Sequence, residues 1–257
     1  MIQPQEIPVG YSKLFQMYSI MAHVVQAADL APHMRRVTLG GEGLRSLIGH
    51  LMPADALKLY LPLPGYPAPQ PRIFSLTGGR KPYHVRPYTI RHIRPEAPEL
   101  DLDILIHGDS PGSVWARSAQ PGDAVGFIGP RHDYRGAPGA DWQVFAGDES
   151  ALPAIAAILE QLPAGARAFA FIEVNDAQDE LPIAIGAQTE LRWLHRHGAP
   201  ARDSTLLKEA LQTLSLPDGR GYGWVAGHSG VVRSIRHLLH HDWRLAKDQM
   251  FTMGYWS

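Results

Sequence analysis

Arg86-Pro87-Tyr88-Thr89-Ile90-Arg91 concentrates two guanidiniums, one phenol ring and one hydroxyl within a single extended segment. Along a strand, Arg86, Tyr88 and Ile90 share one face, with Thr89 and Arg91 on the other. A flavin dinucleotide needs such groups: guanidinium forks for pyrophosphate oxygens, an aromatic ring against the isoalloxazine, and a hydroxyl near its polar edge. A basic edge strand protected by its charge is the other reading of the same run. A second segment, from His107 through Gly108, Asp109, Ser110, Pro111, Gly112, Ser113 and Val114 to Trp115 and Ala116, follows an apolar strand. It reads as a tight turn entering a short helix. Gly112 would let the backbone approach a phosphate there, and Ser113 would cap the helix or donate to the anion. Trp115, taken alone, reads as core.

These segments need a frame. In ALKLYLP, Leu57, Leu59 and Leu61 alternate with Lys58 and Tyr60, and in LDLDILIHG, Leu100, Leu102, Ile104 and Ile106 oppose Asp101, Asp103 and His107. Short strands of this kind, divided by Gly, Pro and Asp turns, indicate an antiparallel barrel or sandwich over the first half. The pattern changes at the turn-rich stretch from Arg135 to Asp141, read as a linker between domains at 1–138 and 139–257. Beyond it, a helix from about Ser150 carries Leu152, Ile155, Leu159 and Leu162 on one stripe. AFAFIEV is a near-continuous apolar run, as in a strand covered on both faces. A second helix (Leu207, Ala210, Leu211, Leu214), the buried strand YGWVAG and a third helix (Val232, Ile235, Leu239) follow. Alternating β and α elements argue for a parallel α/β sheet. The Pro-rich stretch around 65–85, with Arg72, Arg80 and Lys81, reads as a lid or partner loop, or as an ordinary long surface loop.

Composition bounds the chemistry. The 257 residues are 45% hydrophobic and 19% charged, which excludes a disordered chain. Lys and Arg number 24 against 25 Asp and Glu, so no global basic field seeks nucleic acid or an anionic membrane. The absence of Cys removes disulfide frameworks, thiol catalysis and Cys-ligated metal centres. No run resembles a signal peptide or a membrane span, and a soluble cytoplasmic protein without membrane insertion is expected. His237 and His241 have the i, i+4 spacing a zinc site would use, but no H-E-x-x-H motif accompanies them. His near a helix C-terminus explains that cluster, and no metal site is assigned. Ser-His-Asp hydrolysis is set aside.

The ordered set R-x-Y-T-x-R, an apolar strand ending in H-G, a small-residue turn and W-A resembles the siderophore-interacting protein family. Its members are flavin-dependent ferric-siderophore reductases of the ferredoxin–NADP reductase-like superfamily. Here the pattern falls on Arg86, Tyr88, Thr89, Arg91, His107, Gly108, Ser113, Trp115 and Ala116. Further likeness lies in MRRVTLGG, QPGDAVGFIGPR, AGDESALPAI, WVAG with Arg233 and Arg236, and the near-terminal GYW. The turn after His107 is one residue short of the family form, the 65–85 segment is longer than usual, and His228 stands where an acidic residue is common.

The resemblance implies an N-terminal antiparallel Greek-key β-barrel holding FAD, followed by a C-terminal α/β parallel-sheet domain of the NAD(P)H-binding kind. It assigns Arg86 and Arg91 to the phosphates, and Tyr88, Thr89 and Ile90 to the flavin. His107, Gly108, Gly112, Ser113, Val114 and Trp115 would complete the clamp. Electrons would come from NADH, NADPH or a reduced ferredoxin. Gly147, Asp148 and Glu149 open the nucleotide domain, where two carboxylates suit the helix dipole but repel a pyrophosphate; a purely structural helix start at Gly147 and Asp148 is the other reading, and a weak or unusual nicotinamide site is expected. Glu173 is placed to accept ribose hydroxyls and to oppose a 2′-phosphate, which leans towards NADH. The implied substrate is a ferric siderophore, usually anionic, met by Lys58, Arg131 and Lys247, with Arg244 as the rival of the last. The rival functions are a superfamily reductase with a protein or quinone acceptor, and a flavin-bearing siderophore carrier without turnover.

Overall fold

The computed structural model describes residues 17–63, 65–71, 81–186 and 188–257. Arg72 and Arg80 of the Pro-rich segment lie outside the described residues, and Lys81 is exposed. The chain divides into two compact units, Met1–Asp133 and Tyr134–Ser257.

The first unit runs β1 (Tyr18–Ala31), β2 (Met34–Gly40), α1 (Arg45–Ile48), β3 (Ala56–Pro62), β4 (Tyr83–Arg94), β5 (Glu99–Leu105), α2 (Pro111–Ser118) and β6 (Ala124–Arg131). The strands close an antiparallel barrel in the order β1-β2-β5-β4-β3-β6. Alternation builds its interior: Leu57, Leu59, Leu61, Leu100, Leu102, Ile104, Val125 and Phe127 are all buried, and Trp115 and Ala116 of α2 join them. On the outer face of β2, β5 and β4, two carboxylates are buried beneath partly exposed arginines. Asp101 and Asp103 are 2% and 3% exposed, held among Arg36, Thr38 and Arg94. Strand β1 was not read from the sequence.

The second unit runs β7 (Trp142–Asp148), α3 (Leu152–Leu159), β8 (Ala168–Val174), β9 (Thr189–His195), α4 (Leu206–Gln212), β10 (Gly221–His228), α5 (Ser229–His237) and β11 (Met250–Trp256). All five strands are parallel, in the order β11-β10-β7-β8-β9. Every residue of β7, β8 and α3 is buried, the polar Gln143, Asp148 and Glu173 included. Successive strands build outward from β7 in opposite directions, so the sheet's topological switch lies between β7 and β10. Strands β9 and β11 extend both edges beyond what periodicity disclosed. Among the described residues, no helix is long and apolar enough to cross a membrane.

Candidate functional site

Strand β4 distributes its chemical groups over two faces. Tyr88 pairs with the inward Leu57, and Thr89 with Ala56, so their side chains diverge. Arg86, on the Tyr88 face, is exposed, and its guanidinium donates to the Val85 carbonyl at 2.9 Å. Burial pushes the Tyr88 phenol up to about 12, which keeps it a neutral hydroxyl. The strand bulges between Ile90 and His92. Arg91 is 6% exposed on the outer face, with Nε 4.0 Å from Asp103 Oδ2. Asp103 also accepts Arg36 Nε at 2.7 Å and Nη2 at 2.8 Å. The two arginines of the run therefore do not converge on one spot.

The turn into α2 meets the Tyr88 face. A Cβ on Gly112 would overlap the Tyr88 hydroxyl, so the glycine admits the ring rather than leaving open space for a ligand. Ser110, not Ser113, is the N-cap: its Oγ accepts the Ser113 N–H at 3.2 Å and donates to Ser113 Oγ at 2.9 Å. Ser113 is fully buried, with its Oγ accepting the His107 N–H and donating to the His107 carbonyl. Its hydroxyl closes the turn and is not available to an anion. Pro111 has no N–H, which leaves that of Gly112 as the first-turn donor. His107, Gly108 and Val114 are exposed around it. Gly108-Asp109-Ser110-Pro111-Gly112 also has the G-x-S-x-G spacing of a hydrolase nucleophile elbow, a match the sequence reading overlooked. The commitment of Ser110 to the cap, after an antiparallel barrel strand, removes that reading.

In the second unit, Asp148 and Glu173 lie at the C-terminal strand ends and line a small cleft with Leu207, His228 and Val232, whereas Gly147 and Glu149 do not line it. Asp148 is 4% exposed, and its carboxylate accepts from Ser150, His228 and Trp256. Glu149 forms a two-pronged ion pair with Arg196. Glu173 accepts Ser204 Oγ at 2.8 Å and Arg196 Nη1 at 3.3 Å. Burial raises the Glu173 carboxyl above its ordinary value, against the pull of Ser204 and Arg196. Sequence reasoning missed Arg196, whose only local signal was a cation between two histidines.

Two family models cover nearly all of the chain. Residues 23–134 match the siderophore-interacting FAD-binding domain, and residues 140–257 match the siderophore-interacting protein. This chain belongs to the siderophore-interacting protein family. It is 38% identical over 175 residues to the ferric vibriobactin reductase of Vibrio cholerae, matching 67% of this chain and 64% of that protein. The match thus spans just under two thirds of that relative's length. An uncharacterised protein of Mycobacterium tuberculosis is 34% identical over 255 residues, 91% of this chain and 88% of its own. The crystal structure of a siderophore utilization protein from T. fusca superposes with a TM-score of 0.80 at 33% identity, covering 99% of this chain and 95% of that one.

The donor set of this siderophore-interacting protein suits its FAD-binding domain. An exposed guanidinium and a neutral aromatic ring share one face of β4, and the buried Gly112 in the first turn of α2 lies against that ring. The three cations read for the substrate differ in setting. Lys58 is exposed on the outer face of β3, and Lys247 and Arg244 are exposed in the second unit. Arg131 is held by Asp133, with Nε–Oδ1 at 2.7 Å and Nη2–Oδ2 at 2.5 Å. The neighbouring His132 binds Asp55 at 2.8 Å, and burial pushes that fully enclosed carboxyl up to about 6. The rings of His237 and His241 lie 4.2 Å apart. Among the described residues, no group of three or more His, Asp or Glu could hold a metal ion.

Proposed function

We propose that this chain is an FAD-dependent reductase of ferric siderophores, working in the cytoplasm on electrons from NADH, NADPH or a reduced ferredoxin. The observation that carries the reading is the cluster of Arg86, Tyr88 and the Gly112 N–H within the part that matches the FAD-binding domain. The relative named as a ferric vibriobactin reductase supports the substrate class. In this reading the barrel unit holds FAD and the α/β unit faces the donor. Bound FAD would supply the electron storage that matches a two-electron nicotinamide, or two successive one-electron ferredoxins, to ferric chelates that take one electron each.

The chain's own residues would bind and orient. Arg86 reaches a phosphate from solvent, and the Gly112 N–H adds the positive end of α2. Tyr88 supplies its ring face without a charge. Thr89, 6% exposed and turned from Tyr88, holds the strand on the other side. Arg91 supports Asp103 and Arg36 rather than sharing a phosphate with Arg86. Lys58 and Lys247 attract an anionic chelate, and Arg131 does so with its charge offset by Asp133. The protein needs no iron ligands of its own, because siderophore oxygens hold Fe(II) far less firmly than Fe(III) and release follows reduction.

The test is anaerobic. The flavin-loaded protein is mixed with NADH, NADPH and reduced ferredoxin side by side, then with a ferric siderophore. Bleaching by a donor and return of the yellow colour with Fe(II) release is the expected course. Bleaching without recolouring would favour another acceptor, and binding of the chelate without bleaching would favour a carrier. Arg86→Ala should give a folded, colourless protein, whereas Arg91→Ala should lower thermal stability while retaining flavin.

A further inference from the structure

We infer that the strand-end crevice of the second unit excludes the adenylate half of a dinucleotide, so that NADH and NADPH act through their dihydronicotinamide ends alone and are not told apart. In a parallel sheet of this topology, a dinucleotide would sit outside the C-terminal strand ends at the switch between β7 and β10, its pyrophosphate on the helix that follows β7. Each element of that seat is already in use.

The glycine is the first. Gly147 stands where a backbone must come close to phosphate, but a Cβ there would collide with Ala151 and the Ala226 carbonyl. Its missing side chain is spent on packing β7 against its own helix and β10. The helix start is the second. Ala151 and Leu152 are 0% and 1% exposed, so the N-terminus of α3 points into packed protein. The third is the crevice itself. Asp148 Oδ1 accepts the Ser150 N–H at 3.0 Å and hydroxyl at 2.5 Å, while Oδ2 accepts the His228 N–H at 2.8 Å and Trp256 Nε1 at 2.9 Å. Four donors saturate the carboxylate and tie the ends of β7, β10 and β11 together. A pyrophosphate would have to displace this buried anion.

The ribose position is closed in the same way. Glu173 is 1% exposed and both its oxygens are engaged, one by Ser204 and the other by Arg196. Arg196 pairs with both Glu149 and Glu173, so two carboxylates share a single guanidinium, and the buried Asp148 adds its charge beside Glu173. An incoming adenylate would meet like charge from these carboxylates, and the one lining polar side-chain atom left without a partner among the described residues is the buried Nδ1 of His228. A 2′-phosphate adds charge to the same repulsion and gains no contact that would single out NADPH.

The crevice half of this inference stands on the geometry alone, and the donor half rests on the reductase reading. The test therefore has two arms. In the first, the flavin-loaded protein is titrated calorimetrically with ADP-ribose and its 2′-phosphate, with hydrogen exchange followed across 146–152 and 227–231. No saturable binding below about 10 mM is expected. Saturation below that concentration, with new protection in those segments, would overturn the inference. In the second arm, flavin bleaching by NADH, NADPH and reduced nicotinamide mononucleotide is compared by second-order rate constant. Agreement within about fivefold is expected, and a larger advantage of either dinucleotide would overturn it. If no dihydronicotinamide bleaches the flavin, the reductase reading loses these donors, and the binding arm alone decides the crevice.

Discussion

The turn from His107 to Trp115 shows how much of a small site can be claimed by its own architecture. Ser113 spends its hydroxyl on both backbone groups of His107, and Ser110 spends its own on the cap, so an anion meets backbone rather than side-chain donors. Gly112 then has two duties, an N–H for the ligand and a bare Cα for the Tyr88 hydroxyl. Gly112→Ala separates them. By helix propensity alone the change would stabilise by about 1 kcal/mol. The overlap with Tyr88 opposes this, and overpacking costs about 1–3 kcal/mol. We expect a net loss of thermal stability and a drop of about tenfold or more in flavin affinity, read by fluorescence titration of the apoprotein. Adding Tyr88→Phe removes the overlapping oxygen and should recover stability. Wild-type affinity and stability in Gly112→Ala would mean that the ring moves aside freely.

Strands β2, β5 and β4 carry the clearest case of an element whose pattern was readable while its purpose was not. Alternation in LDLDILIHG set Leu100, Leu102 and Ile104 apart from Asp101 and Asp103, because a period of two survives in a single sequence. The same was true of the all-buried Ala168–Val174. Pairing over distance leaves no such trace: Arg36 meets Asp103 across 67 positions, and Arg196 meets Glu149 across 47. Strand β1 escaped because its pattern fades to exposed residues at one end, and the Tyr88 ring against Gly112 went unread because a glycine does not say what approaches it. The polar face has a measurable consequence. Burial alone would push Asp101 up, but hydrogen bonds from Arg94 and Thr38 outweigh it and hold the carboxyl at about 2, below its ordinary 3.8. A depressed carboxylate stabilises the fold above its unfolded value, and that contribution disappears as pH falls through the folded value. About 2 kcal/mol should therefore be present at neutral pH and lost between about pH 4 and pH 2. Denaturant unfolding of wild type and Asp101→Asn should show their difference shrinking by that amount over this window. A difference that stays flat with pH would assign the stability of this face to packing instead of charge.

Over the whole molecule the formal charge is -1, so any attraction of an anionic chelate comes from local cations and not from a global field. Lys58 and Lys247 are exposed, whereas Arg131 is bonded twice to Asp133, whose side chain is 1% exposed. These settings predict two different kinds of loss. An exposed ammonium a few ångströms from a chelate in water contributes about 1 kcal/mol per unit charge, or about fivefold in KM. That attraction is present in the ground state, so kcat should be nearly unchanged. It is screened over about 8–10 Å at ordinary ionic strength, so added salt should erase it. Lys58→Ala and Lys247→Ala should thus raise KM for an anionic ferric siderophore at low salt, much less for a neutral ferric hydroxamate, with flavin content intact. Arg131→Ala removes the two-pronged partner of a buried carboxylate, and its main effect should be a fall in stability that salt does not restore. Steady-state kinetics at two ionic strengths, beside thermal unfolding of each variant, separates these outcomes. If Lys58→Ala and Lys247→Ala lose activity equally for charged and neutral chelates at every salt concentration, neither cation is steering the substrate.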